Sequence, residues 1–149
     1  MPVGELCTRE VVVASRSDSV REAAQLMRQH HVGDVVIVED ADGLKKPIGL
    51  VTDRDLVVEV LAEGIDPESI ALGEIMSTEL ASIGEEKGIF EAIQYMKNRG
   101  VRRLPVVGQE GQLIGILALD DLLDLISEEL SGLSHLVKNE ERRERRTRL

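Results

Sequence analysis

Histidine, cysteine and closely spaced carboxylates would carry metal or nucleophilic chemistry in this chain, and their arrangement excludes most of it. His30 and His31 are adjacent, so on a helix they point about 100° apart and cannot chelate one ion together. His135 stands far along the chain from both. Cys7 is the only cysteine, so no internal disulfide forms and no neighbouring base marks it as a nucleophile. The acidic run Glu39-Asp40-Ala41-Asp42 lacks the spacing of a calcium loop and its closing glutamate, and it reads as a solvated turn. Three polar groupings remain: Thr52-Asp53-Arg54-Asp55, Asp120-Asp121 and Arg102-Arg103. A Thr three residues before an Asp, ahead of an apolar helix, has the pattern of a capping box. Asp120 is likewise placed to cap the helix that follows it. Adjacent guanidinium groups form charge-assisted bonds to phosphates, or to any of the 28 Asp and Glu side chains present.

The elements that must hold these residues come as an internal repeat. VREAAQLMRQHHVGDVVIV (20–38) over IFEAIQYMKNRGVRRLPVV (89–107) gives six identities in 19 ungapped positions, where chance gives about one. IGLVTDRDLV (48–57) over IGILALDDLL (114–123) gives four in ten. In each copy an apolar stripe at helical spacing comes first, Val20, Ala23, Ala24 and Met27 or Ile89, Ala92, Ile93 and Met96. Ser19 is placed to cap the first of these helices and Gly100 to end the second. Short β-branched runs follow, Val35–Val38 with Ile48–Val51 and Leu104–Val107 with Ile114–Leu117, and these read as buried strands. ADGLKKP and GQEGQ between them read as hairpin turns. A closing helix carries Leu56, Val57, Val60 and Leu61 in copy one and Leu122, Leu123, Ile126 and Leu130 in copy two. A short extended segment, Val11–Val13 or Leu80–Ile83, precedes each first helix.

The fold class is therefore α/β: two β-α-β-β-α repeats, with small sheets packed against helices. The repeats span 8–65 and 72–130, joined by a linker from about Ala62 to Glu74, and 131–149 forms a charged helical extension or tail. One such unit alone would bury only about 60% of its unfolded surface, so the two are expected to pack together.

Composition narrows the partners. The net charge of −10 argues against a nucleic-acid role, because duplex binding needs clustered cations. Residues 138–149 hold six cations against three carboxylates, leaving about −13 on the rest by difference. Phe90 and Tyr95 are the only aromatic residues, which disfavours ligand binding by stacking. No run approaches the roughly 20 apolar residues of a membrane span, and no apolar N-terminal stretch resembles a signal peptide. A cytoplasmic protein is expected.

The combination of VRRLPVV (101–107), GQLIGILALDDL (111–122) and PIGLVTDRDL (47–56), occurring in a duplication that covers about 120 of the 149 residues, resembles a tandem pair of cystathionine-β-synthase-type (CBS) domains. The resemblance implies that the two repeats are related by a pseudo-two-fold axis in a stand-alone regulatory module, not an enzyme, with two clefts between the repeats for adenosine-containing ligands: AMP, ADP, ATP or S-adenosylmethionine. No cofactor is required. It assigns Thr52-Asp53-Arg54-Asp55 to the family's ligand signature, in which the hydroxyl and free helix N–H groups suit a phosphate and the Asp accepts from ribose hydroxyls.

In copy two Ala118 replaces the threonine, while Asp121 keeps the ribose position beside Asp120. Arg102 and Arg103 occupy the post-helix position where the family often places phosphate-binding cations, and copy one has Gly33-Asp34 there. By the same resemblance Thr52 and Asp55 face Met76–Leu80 and Val101, and Asp121 faces Leu6–Val11 and Val32. The Thr52/Asp55 cleft is then the better ribose-phosphate site. A homodimer is expected, with an unidentified partner protein regulated in trans. The alternative is a dimerisation or docking module with degenerate clefts, acting through Leu122–Leu136 and the charged tail.

Overall fold

The computed structural model describes residues 1–77 and 79–148. They form two compact units, Met1–Leu117 and a second one beginning at Ala118. The first unit holds α1 (Val3–Leu6), β1 (Val13–Ala14), α2 (Val20–His30), β2 (Asp34–Ala41), β3 (Leu44–Thr52) and α3 (Asp53–Leu56), which continues as a π-helical stretch, Val57–Leu61. After α4 (Leu72–Ile75) the series recurs as β4 (Ile83–Gly84), α5 (Ile89–Arg99), β5 (Arg103–Val107) and β6 (Leu113–Ala118), leading into α6 (Leu119–Thr147). The strands make two three-stranded sheets, β1-β2-β3 and β4-β5-β6. Both first strands pair parallel to the second, β1 to β2 and β4 to β5, so the β-α-β-β-α order appears twice.

Local chemistry explains the boundaries. Ser19 Oγ accepts from the Glu22 N–H at 3.1 Å and opens α2. Gly100 ends α5 at φ 66°, and His31 takes the same left-handed position at the end of α2. The β2–β3 hairpin is tighter than ADGLKKP implied. Asp42 and Gly43 both have positive φ, as a two-residue loop matching the strand twist requires. Glu39 to Ala41 therefore lie in β2, and Glu39 and Asp40 stand opposite Lys46 and Lys45. A register shift at Ile37/Val38 accommodates Pro47 in β3, where a residue without an N–H is tolerated.

The core is aliphatic. Val35, Val36 and Ile37 of β2 are fully buried, with Val51, Val20 and Ala23 beside them in burial. Leu72 is also fully buried and belongs to the first repeat's core, with Ile70, Ile75 and Met76 packed against that cluster. The supposed linker thus supplies core residues to copy one. The N–H groups of Leu72 and Gly73 donate to the carbonyls of Asp18 (2.8 Å) and Arg16 (2.9 Å). The N-terminus does the same for copy two: the N–H groups of Val3 and Gly4 donate to Lys87 (2.8 Å) and Glu85 (3.0 Å). Each repeat's leading helix is docked on the other repeat. A side chain at Gly4 would meet Glu85 Cβ at 3.0 Å, and one at Gly73 would meet Arg16 Cβ at 3.2 Å, so both docking points use the closeness that glycine allows.

The closing helices bury less than their stripes implied. Val60 is buried, but Val57 and Leu61 are exposed, as are Leu123, Ile126 and Leu130. In the second unit α6 is a single helix from Leu119 to Thr147, with Leu122 its buried residue. Among the described residues no helix is long and apolar enough to cross a membrane.

If Leu72 clasps copy one, Leu72→Ala should lower stability by about 3 kcal/mol, as for a fully buried leucine. Urea denaturation would read it, and a loss below about 1 kcal/mol would contradict the clasp.

Candidate functional site

β3 delivers Thr52 to the start of a helix, and the local hydrogen bonds form the capping box read in the sequence. Thr52 Oγ1 accepts from the Asp55 N–H at 3.2 Å, while Asp55 Oδ2 accepts from the Thr52 N–H at 2.8 Å. The turn is tied to the post-helix turn of its own repeat, since Asp53 N–H donates to the Gly33 carbonyl at 2.9 Å. Asp53 Oδ1 in turn accepts from the Arg54 N–H at 2.8 Å.

These residues line one cavity of about 790 Å³ together with Arg99, Gly100, Val101, Arg102 and Arg103 from copy two. Leu50, Ser77, Glu79, Leu80 and Ala81 complete the wall. Such a volume suits a small organic ligand. Thr52 and Asp55 accordingly share a cavity with Val101 and with described residues of the 76–80 segment; Thr78, also in that segment, lies outside the described residues. Arg99, Leu50 and Ala81 were not singled out in the sequence. Arg99 closes α5 beside Gly100, and its guanidinium lies over the Tyr95 ring at 5.9 Å from the centroid. The signal for it was a basic residue in the last helical turn, directly before the cavity-lining turn.

Four arginines, at 54, 99, 102 and 103, meet three carboxylates, Asp53, Asp55 and Glu79, in this cavity. Its formal balance is positive in a chain of net charge −10. One of the four makes an ion pair: Arg103 Nε lies 3.2 Å from Asp34 Oδ1. By the repeat, Asp34 and Arg103 are equivalent positions, so the pair crosses from one copy to its counterpart in the other. Asp34 is only 13% exposed, and burial raises its carboxyl above the ordinary 3.8; Arg103 pulls it down and Asp53 adds to the rise.

Val32 and Gly33 are half-buried at the copy-one turn and do not line this cavity. Asp120 and Asp121 open α6. Asp121 Oδ2 accepts from the Ala118 N–H at 3.0 Å, the copy-two counterpart of the Asp55 contact. Ala118 offers no hydroxyl in return. Among the described residues no three His, Cys, Asp or Glu side chains cluster so as to hold a metal.

Three outcomes follow from this geometry. Thr52→Ala removes one half of the box and should cost about 1 kcal/mol without any ligand, measured by urea denaturation; an unchanged midpoint would contradict the cap. Because the folded state raises the Asp34 pKa, its stabilising contribution is present below 3.8 and is lost as pH rises through the raised value. Asp34→Asn should therefore gain on the wild type in relative stability as pH increases across that range. In Arg103→Ala the Asp34 midpoint, followed by carboxyl NMR, should move further up; a downward move would contradict the pairing.

The comparisons with known proteins agree with this architecture. The CBS domain model matches residues 3–62 and again 72–128. An uncharacterised protein of Methanopyrus kandleri is 39% identical over 123 residues, 83% of this chain, and the chain spans only 61% of that relative's length. The CBS domain-containing protein YhcV of Bacillus subtilis is 39% identical over 131 residues, covering 87% of this chain and 89% of the relative. A solved CBS domain pair, in complex with 5-methylthioadenosine and S-adenosyl-L-methionine, superposes with a TM-score of 0.75 over 87% of this chain and 98% of its own. Its 21% identity makes that a likeness of fold. With the domain model matched once in each copy of the duplication, this chain belongs to the CBS-domain family as a tandem pair.

Proposed function

We propose that this protein is a non-catalytic regulatory module whose Thr52/Asp55 cavity binds an adenosine phosphate. CBS-domain pairs are regulatory modules, and the solved pair with bound adenosyl compounds supports the ligand class for this fold. The observation that carries the reading is the convergence of four arginines on a cavity of about 790 Å³ in an acidic chain. Guanidinium groups favour phosphates through charge-assisted, often bidentate bonds, which prefers ADP or ATP over S-adenosylmethionine, itself without a phosphate.

In this reading the helix start at Asp53 and the Thr52 hydroxyl face phosphate, and Asp55 accepts from the ribose hydroxyls. Leu50, Leu80 and Val101 offer an aliphatic wall for the base. Arg54, Arg99 and Arg102 neutralise the phosphates, and Arg103 joins them through its terminal guanidinium nitrogens. Asp121, without a threonine partner, serves a weaker or more specialised second site, with Asp120 next to it in the chain. Occupancy would be read by a partner protein in trans.

One set of observations favours the rival reading of a docking module with degenerate clefts. Thr52 and Asp55 already satisfy each other, and Arg103 already holds Asp34.

A thermal-shift panel with AMP, ADP, ATP, adenosine and S-adenosylmethionine separates the two. A ligand at about 100 times its Kd should add roughly 2.7 kcal/mol of stability. ADP or ATP should give the largest shift, lost in Asp55→Ala and kept in Asp121→Ala. No shift with any adenosyl compound would overturn the reading in favour of docking.

A further inference from the structure

Two of the cavity arginines are held in place, and by different chemistry. Arg103 is held by the Asp34 carboxylate, which offsets its charge. Arg99, the last residue of α5, has its guanidinium carbon 5.9 Å from the centroid of the Tyr95 ring. The two residues are four apart, the spacing at which side chains on one helix face meet. A ring attracts a cation through its quadrupole, without a hydrogen bond and without neutralising it. The N–H donors of the Arg99 fork thus stay available to another acceptor, and among the described residues Arg99 makes no ion pair. Arg99 lines the cavity, whereas Tyr95 is half-buried and outside the lining.

The pair exists only in copy two. Leu26 and His30 stand at the equivalent positions of α2, and Leu26 packs against the first repeat's core. A leucine therefore suffices at this place in the repeat where packing is all that is required.

We propose that Tyr95 is a positioning residue of the Thr52/Asp55 cavity, its ring holding the Arg99 guanidinium at the wall, still fully charged, for a phosphate of the ligand. The inference rests on the nucleotide reading and adds to it a residue that strengthens the preference for phosphate-bearing adenosyl compounds. A long side chain already held loses less rotamer freedom on meeting a phosphate than a free one. That gain comes through the Arg99–phosphate bond, so it is absent for adenosine.

The test is isothermal titration calorimetry of the full chain with ADP and with adenosine. The variants are Tyr95→Phe, Tyr95→Leu, Arg99→Gln and the Tyr95→Leu/Arg99→Gln double. Tyr95→Leu should weaken ADP about two- to fivefold, leave adenosine unchanged, and add nothing in the Arg99→Gln background; Tyr95→Phe should bind as the wild type. Unchanged ADP affinity in Tyr95→Leu, an equal loss for adenosine, or a loss that persists in the Arg99→Gln background would overturn the proposal and leave the nucleotide reading standing. A ligand-free readout tests the positioning by itself. The ring current displaces nearby proton signals, so the Arg99 Nε–H resonance should move in Tyr95→Leu and keep its place in Tyr95→Phe; one position in all three proteins would overturn the proposal. Failure of the wild type to bind ADP would overturn the nucleotide reading, and the role of Tyr95 with it, even where that resonance moves.

Discussion

The reciprocal docking of the two leading segments is the constraint on which the first unit depends. Val3 and Gly4 bond to the Glu85–Lys87 turn, and Leu72 and Gly73 bond to the Arg16–Asp18 turn. Neither β-α-β-β-α copy closes its own core, because each lacks the buried aliphatic residue that the other's segment provides. The same docking shapes the candidate site. Leu72 anchors α4, and Ser77, Glu79, Leu80 and Ala81, which follow α4 in the chain, line the cavity. A side chain at Gly49 would lie 2.6 Å from Met76 Sδ, so the close approach of that segment to β3 depends on a glycine there. At Gly115, the equivalent residue of copy two, a side chain would meet the Thr8 carbonyl oxygen at 2.6 Å and Cys7 Sγ at 2.7 Å. Packing of the pair and the lining of the cavity thus rest on the same contacts.

On this symmetric frame, function rests on the places where symmetry fails. Thr52 completes a reciprocal cap that Ala118 cannot. Asp34 and Arg103 hold equivalent positions yet carry opposite charges and pair with each other. Had both been arginine, they would repel across the repeats; had both been aspartate, burial would have pushed both carboxyls up. The Thr52–Asp55 cap and the Asp34–Arg103 pair fix side chains at and beside the cavity. Arg103 meets Asp34 through Nε, 3.2 Å from Oδ1, and its terminal guanidinium nitrogens are further donors.

Much of this was legible in the sequence because the two periodicities recur. The 3.6-residue stripes placed α2 and α5, and the β-branched runs placed β2, β3, β5 and β6. The capping box at Thr52 was readable because its partners lie within one turn. The leading helices were missed. They have four residues each, too few for a periodic signal, although VGELCT (3–8) over LGEIMS (72–77) repeats at the same offset as the two long helices. The hairpin was misjudged where lysines and acids suggested solvated loop; cross-strand pairing of Glu39 and Asp40 with Lys46 and Lys45 lets those residues occupy strands. Arg99 and the Asp34–Arg103 pair escaped because tertiary packing, not local pattern, brings them to the cavity. The closing-helix stripes misled for a different reason. Of the α6 residues in the stripe, Leu122 is buried while Leu123, Ile126 and Leu130 are exposed.

The central claim is that an adenosine phosphate occupies the Thr52/Asp55 cavity, and amide NMR of the full chain titrated with ADP tests it most directly. Shifts should concentrate at residues 50–55 and 99–103 and saturate together, while the Asp42-Gly43 hairpin stays fixed. Shifts that never saturate, or that saturate only away from these two segments, would contradict it.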